Sequence, residues 1–188
     1  AEFLSVPGKQ LTDSVYERVK ASYPNTTGPL LVHRLDMSTS GILMIAKSKE
    51  IHKLMQAQFL SKKIQKSYVA LLDGFIEKNE GEIDLPLRGD FDDRPKQLVC
   101  HEFGKAAKTK FRVLSREGNT TRILFFPITG RTHQLRVHAA HHLGIGCPIL
   151  GDDLYGTKST RLYLHAQELI FIHPISKQQQ RVYCKAPF

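Results

Sequence analysis

Asp36 closes the run His33-Arg34-Leu35-Asp36 and is followed, after Met37-Ser38, by Thr39-Ser40-Gly41. A carboxylate between two apolar stretches has three uses: it caps a turn, it pairs with a neighbouring cation such as Arg34, or it attacks an electrophile or removes a proton. Lys66-Ser67-Tyr68 forms a second polar cluster, whose phenol can pack on a ring and still exchange a hydrogen bond. A third holds Arg94, Lys96 and Gln97, side chains suited to phosphate oxygens and base edges, or simply to a charged β-turn. The fourth, Gly130-Arg131-Thr132-His133-Gln134-Leu135-Arg136, is dense in donors at a predicted helix start. Such a start is either a solvated cap or a place where free amides meet an anion.

His133, His138, His141 and His142 lie close in sequence, but they make no HExxH pattern and no nearby Cys or Glu completes a zinc set. No metal is expected. Nor is there a GxxxxGK[ST] phosphate loop. The three cysteines, Cys100, Cys147 and Cys184, have no paired spacing, which fits a reducing cytoplasm. No stretch approaches the ~20 apolar residues that span a bilayer, so no membrane partner is expected. Lys and Arg number 27 against 18 Asp and Glu, a net charge of +9, which suits a polyanionic partner or serves solubility alone.

The clusters need elements to carry them. At 188 residues and 41% hydrophobic content, one domain can bury its own core. The spacing predicts a short helix over Thr12 to Ser22, strands over Leu30 to His33 and Gly41 to Ala46, and therefore Asp36 in a connection between two buried strands. Ile51, Leu54, Met55, Gln58 and Phe59 follow the i, i+3, i+4, i+7, i+8 pattern of an amphipathic helix. Short β-like segments follow at Ser67 to Leu72, Glu82 to Leu85, Gln97 to Phe103, Thr109 to Leu114 and Arg122 to Phe126. Leu135, Ala139 and Leu143 then mark a helix stopping at Gly144, and strands at Leu162 to Phe171 and Gln180 to Cys184 complete the chain. The fold class predicted is α+β, one domain on a mixed, largely antiparallel sheet with flanking helices.

Taken together, HRLDMSTSGILMIAKS at 33 to 48, KSYVALLDG at 66 to 74, GRTHQLRVHAAHHLG at 130 to 144, PILGDDLYG at 148 to 156 and LHAQELIFIHP at 164 to 174 closely resemble the RluA family of RNA pseudouridine synthases. The motifs occur in order and span nearly the whole chain. RPKQLVC at 94 to 100 with the following GKAAKTKF is similar to the RluA branch rather than to branches that modify other ribosomal sites.

That resemblance implies an isomerase that detaches uracil from ribose through N1 and reattaches it through C5, without a cofactor. Asp36 would be its carboxylate, acting as a nucleophile or on a sugar proton. Tyr68 would pack beside the base, and Arg136 would hold Asp36 ionised and aimed. Arg34 would fill the stack vacated by an extruded uridine, or else pair locally with Asp36. Leu164 would pack on the base, and Arg131, His133, Arg94, Lys96 and Gln97 would meet RNA. The implied partner is a structured RNA, a 23S ribosomal or transfer RNA anticodon stem-loop, acted on by a monomer. The family ordinarily opens with a strand and an Asn-Lys-Pro-x-Gly turn before a segment like Leu4 to Gly8, and this portion is expected to be missing. The rival from another class is a non-catalytic RNA-binding or RNA-chaperone domain that keeps the fold.

Overall fold

In the computed structural model, which describes residues 4–7 and 13–188, helix α1 spans Val15–Ser22 and is capped by Ser14, whose hydroxyl accepts from Glu17 N at 3.3 Å. The predicted start at Thr12 lies outside the described residues, as does Gly8. The two strands expected on either side of Asp36 do not form as such. Only Ser40–Gly41 (β1) is a strand there, while Leu31 and Ile45 make a single bridge. The run from Gly41 to Ala46 divides its backbone between two partners. Ile42 N donates to Ala166 O, whereas Ala46 N donates to Leu30 O, so no continuous ladder can grow. Gly41 is obligatory at this crossing, with φ +113° and a hypothetical Cβ only 2.2 Å from Ala166 O.

Helix α2, Lys49–Leu60, begins at the predicted amphipathic stretch, with Ser48 accepting from Ile51 N. Its inward side carries Ile51, Met55 and Phe59, whereas Leu54 faces solvent. Strands β2 (Gln65–Asp73), β3 (Glu80–Asp84), β4 (Leu87–Gly89), β5 (Gln97–Val99), β6 (Lys108–Glu117) and β7 (Thr120–Pro127) then follow in order. β5 stops well before the expected Phe103 because the chain turns at Cys100, where Gly104 N bonds Cys100 O. Helix α3 is Gln134–Ala140 and ends short of Gly144, since His141 is already extended and Leu143 is 59% exposed. Strands β8 (Leu164–Ile172) and β9 (Gln179–Tyr183) close the chain.

The main sheet runs β1-β8-β2-β7-β6-β3, with β9 also on β8, and every pairing except β1 with β8 is antiparallel. It is the mixed, largely antiparallel sheet that the sequence predicts. Its central strands β2 and β7 bury Ala70, Leu72, Ile123 and Phe125 beneath Leu135 and Ala139 of α3. Burying such side chains contributes roughly 1.5–3 kcal/mol each. α2 docks elsewhere, where the Gln58 amide pairs with both backbone groups of Ile172. No helix among the described residues is long and apolar enough to cross a membrane.

Candidate active site

Asp36 sits in a turn closed by Thr39 N donating to Asp36 O at 3.0 Å. The turn is held from both sides. Upstream, Ser5 Oγ donates to Leu35 O and accepts from Leu35 N. Downstream, β1 is laid along β8, and Ser40 Oγ contacts His165 Nδ1 at 2.9 Å while accepting from Arg161. The segment is therefore irregular yet anchored, which suits a side chain that must be aimed.

The carboxylate opens onto a cavity of about 480 Å³, within the usual range for a small-ligand site. The cavity is lined by segments 33 to 36, 127 to 132 and 134 to 136, together with Tyr68 and Leu164 from the sheet. Asp36 is the sole carboxylate among its described lining residues, and it faces Arg34, Lys62, Lys66, Arg131 and Arg136. Low-dielectric walls make such an imbalance a strong attractor for a polyanion.

Tyr68 stands on β2 opposite Phe125 of β7 and Ala166 of β8. Burial raises its hydroxyl pKa, and the nearby charge of Asp36 raises it further, so the phenol is neutral in the resting protein. Lys66, two residues earlier, has its ammonium pKa lowered by burial. His33 stacks on Phe59 with ring centroids 5.0 Å apart, and its Nε2 accepts from Met44 N at 2.9 Å. Burial, with Lys66 adding to it, pushes that histidine down to about 4.

Arg136 is 3% exposed on the first turn of α3. Its fork is taken by Asp152, Nε to Oδ2 at 2.9 Å and one terminal nitrogen to Oδ1 at 2.6 Å, with Asp153 at 3.0 Å. Burial works against its charge, but the Asp152 bonds and the field of Asp36 outweigh it and hold the guanidinium pKa up. Arg136 thus makes no direct ion pair with Asp36. Asp36 forms no ion pair with any described residue, and Arg136 acts on it through space. The local pairing of Arg34 with Asp36 is likewise not formed.

The start of α3 is fixed by its neighbours. Gln134 accepts from Thr129 Oγ1 and Arg131 N and donates to Lys108 O and Thr109 Oγ1. Thr109 Oγ1 lies 3.0 Å from His138 Nδ1, whose Nε2 lies 3.2 Å from Leu85 O. Only one proton arrangement satisfies that chain: Thr109 donates to His138, and a neutral His138 donates to Leu85. His133 is the left-handed residue before the helix, φ +51°, with Nδ1 2.9 Å from Tyr155 Oη. It is not among the residues that line the cavity, although Arg131, Thr132 and Gln134 beside it are.

Of the remaining expected contacts, Arg34, Arg131 and Leu164 line the cavity, whereas Arg94, Lys96 and Gln97 belong to the separate β4–β5 hairpin. Sequence reasoning assigned no role to Asp152 or Tyr155, although both stand in the quoted PILGDDLYG segment. A buried carboxylate within reach of a buried arginine could have been sought there. Among the described residues, no group of three or more His, Cys, Asp or Glu is arranged to hold a metal.

A family model described as RNA pseudouridylate synthase matches residues 2–141. The chain belongs to the RNA pseudouridylate synthase family. It is 43% identical to the dual-specificity RNA pseudouridine synthase RluA of Yersinia pestis, over 98% of this chain and 91% of that protein. Identity to the protein of the same description from Escherichia coli strain K12 is 44%, over 91% of this chain and 79% of its length. Among solved structures, human RNA pseudouridylate synthase domain containing 1 superposes with a TM-score of 0.78 at 29% identity, covering 93% of this chain and 75% of that one. The chain is thus an RNA pseudouridine synthase of the RluA family, an isomerase acting on RNA.

Proposed function

We propose that this synthase isomerises uridines in short stem-loops of 23S ribosomal RNA and of transfer RNA anticodon arms, with Asp36 as the reacting carboxylate, Tyr68 beside the base and Arg136 as its distant counter-charge. The observation that carries this reading is a cavity in which one carboxylate faces five cations and a buried phenol. A uridine stacked in RNA reaches such a cavity only by extrusion, at a cost of roughly a few kcal/mol that a loop position reduces. Lys62, Lys66 and Arg131 take the flanking phosphates, Leu164 supplies an apolar face for uracil, and Arg34 at the rim takes the vacated place in the stack.

Asp36 then attacks the sugar or removes a sugar proton as the N1 bond to ribose breaks, and uracil turns to present C5. Tyr68 begins this sequence neutral. Part of what keeps it neutral is the Asp36 charge, which disappears if the carboxylate becomes esterified to the sugar. On the covalent route the phenol is therefore a stronger acid while the ester lasts, and when C5 bonds to the sugar the bond to Asp36 breaks, so the returning carboxylate charge again favours a protonated Tyr68 as the C5 proton leaves.

The reading includes a monomer working in the cytoplasm. Its test is tritium release from C5-labelled uridine in a stem-loop RNA, together with pseudouridine mapping in total RNA from cells with and without the gene. Release by the wild type and loss of both a ribosomal and a transfer RNA site on deletion are expected. Deletion that changes neither RNA rules out the proposed targets.

A further inference from the structure

The segment 90–96, between β4 and β5, presents a side chain that the cavity does not use. Phe91 is 71% exposed, a costly placement for a ring of this size unless something covers it. The guanidinium carbon of Arg88 lies 5.5 Å from its centroid and that of Arg94 lies 5.7 Å away. Neither arginine has a carboxylate partner among the described residues, and Arg88 Nε is buried without a hydrogen bond. Two of the three acids in the segment are engaged locally. Asp90 accepts from Asp92 N and Asp93 N, and Asp93 pairs with Lys96 at 2.6 Å.

Phe75 provides an internal contrast. It is also exposed, and Arg116 lies 5.5 Å from its centroid. That guanidinium is consumed, however, by the carbonyls of Ile76, Glu77 and Lys78 and by Asn79 Oδ1. Arg116 fastens a turn, whereas Arg88 gives one terminal nitrogen to Gly89 O at 3.1 Å and, with Arg94, keeps further donors beside an open ring.

The hairpin is also held at a set place relative to α3. Asp90 N bonds Lys96 O, and Lys96 N bonds Asp93 O. Gln97 N donates to Tyr155 Oη at 2.7 Å, and the same oxygen lies 2.9 Å from His133 Nδ1, directly before α3. A group resting on Phe91 is therefore registered against Arg136 and the cavity.

We propose that Phe91, with the guanidiniums of Arg88 and Arg94, is a stacking platform for an unpaired base of the substrate RNA other than the target uridine. An aromatic face accepts any base, and adjacent guanidiniums suit the phosphates that flank it. This rests on the synthase reading and deepens it, because it makes a second unpaired loop nucleotide part of what the protein selects.

The test uses the full chain and a fluorescent stem-loop RNA. Stacking of this kind predicts that Phe91→Ala raises Kd and KM roughly 5- to 150-fold, that Phe91→Trp stays within about twofold of wild type by retaining an aromatic face, and that Phe75→Ala changes neither. Replacing loop nucleotides one at a time by abasic residues should find one position, apart from the target, that costs wild type the same factor and costs Phe91→Ala nothing further. An unchanged Kd in Phe91→Ala, or abasic losses that add to it at every position, would overturn the platform. Kd is read without turnover, so a wild type that binds but releases no tritium refutes the synthase reading alone.

Discussion

The two walls of the cavity are built on opposite terms. On the α3 side the buried polar side chains of the helix are committed: Arg136 to Asp152 and Asp153, Gln134 to four partners, His138 to Thr109 and Leu85. On the opposite side Asp36, Arg34 and Lys66 form no ion pair with any described residue, and the backbone rather than the side chains is what is tied down. A satisfied buried network gives stability and fixed geometry, while uncommitted charges weaken the free protein and are available to a ligand. The difference fits the proposed roles, with the reacting groups on the irregular side and the scaffold on the helical side.

Two substitutions of the same residue type break this comparison most directly. Asp36→Ala should lower tritium release by at least ~10⁴-fold, as loss of a reacting group does, and move Tm by no more than about 2 °C, because it removes no paired charge. Asp152→Ala leaves Arg136 buried without its main partner, which costs about 3–5 kcal/mol, or roughly 6–20 °C in Tm for a chain of this length. Thermal melts of both variants decide the matter. If Asp36→Ala melts early and Asp152→Ala does not, the division between the walls is wrong.

What the sequence revealed follows the same division. The strands of the antiparallel sheet were legible because alternation and turn residues are local signals, and β2, β6 and β7 lie where the spacing put them. The Asp36 segment was harder. Its apolar runs look like strands, but Gly41 lets the chain cross β8 at close range and splits the run between two partners, which no local pattern encodes. The partners of Arg136 were hidden for a related reason. Arg136 and Asp152 are sixteen residues apart and meet only once α3 and the segment 148–152 have both packed against β2, so the resemblance pointed to the arginine but not to the carboxylates that hold it. His133 reads as a surface donor until its left-handed turn carries it to Tyr155. Exposed Phe91 has no periodic signature at all, since a lone aromatic in a charged turn resembles any loop residue.

The smallest effect concerns His33, the one member of the open wall whose side chain is committed, through Nε2 to Met44 N. Burial and Lys66 hold its pKa at about 4 in the folded protein, against about 6.5 in an unfolded chain. As pH falls below 6.5 the unfolded chain takes up a proton that the folded one refuses, so stability declines from pH 6.5 to 4 and levels off below that. The loss assignable to this group is bounded by about 3 kcal/mol. His33→Gln keeps an acceptor for Met44 N but does not titrate. Urea midpoints measured across this range should therefore fall less steeply for the variant than for wild type, whatever offset the substitution adds at neutral pH. Parallel slopes would mean that His33 protonates freely in the folded state, and that the open wall is wetter than its stacking on Phe59 implies.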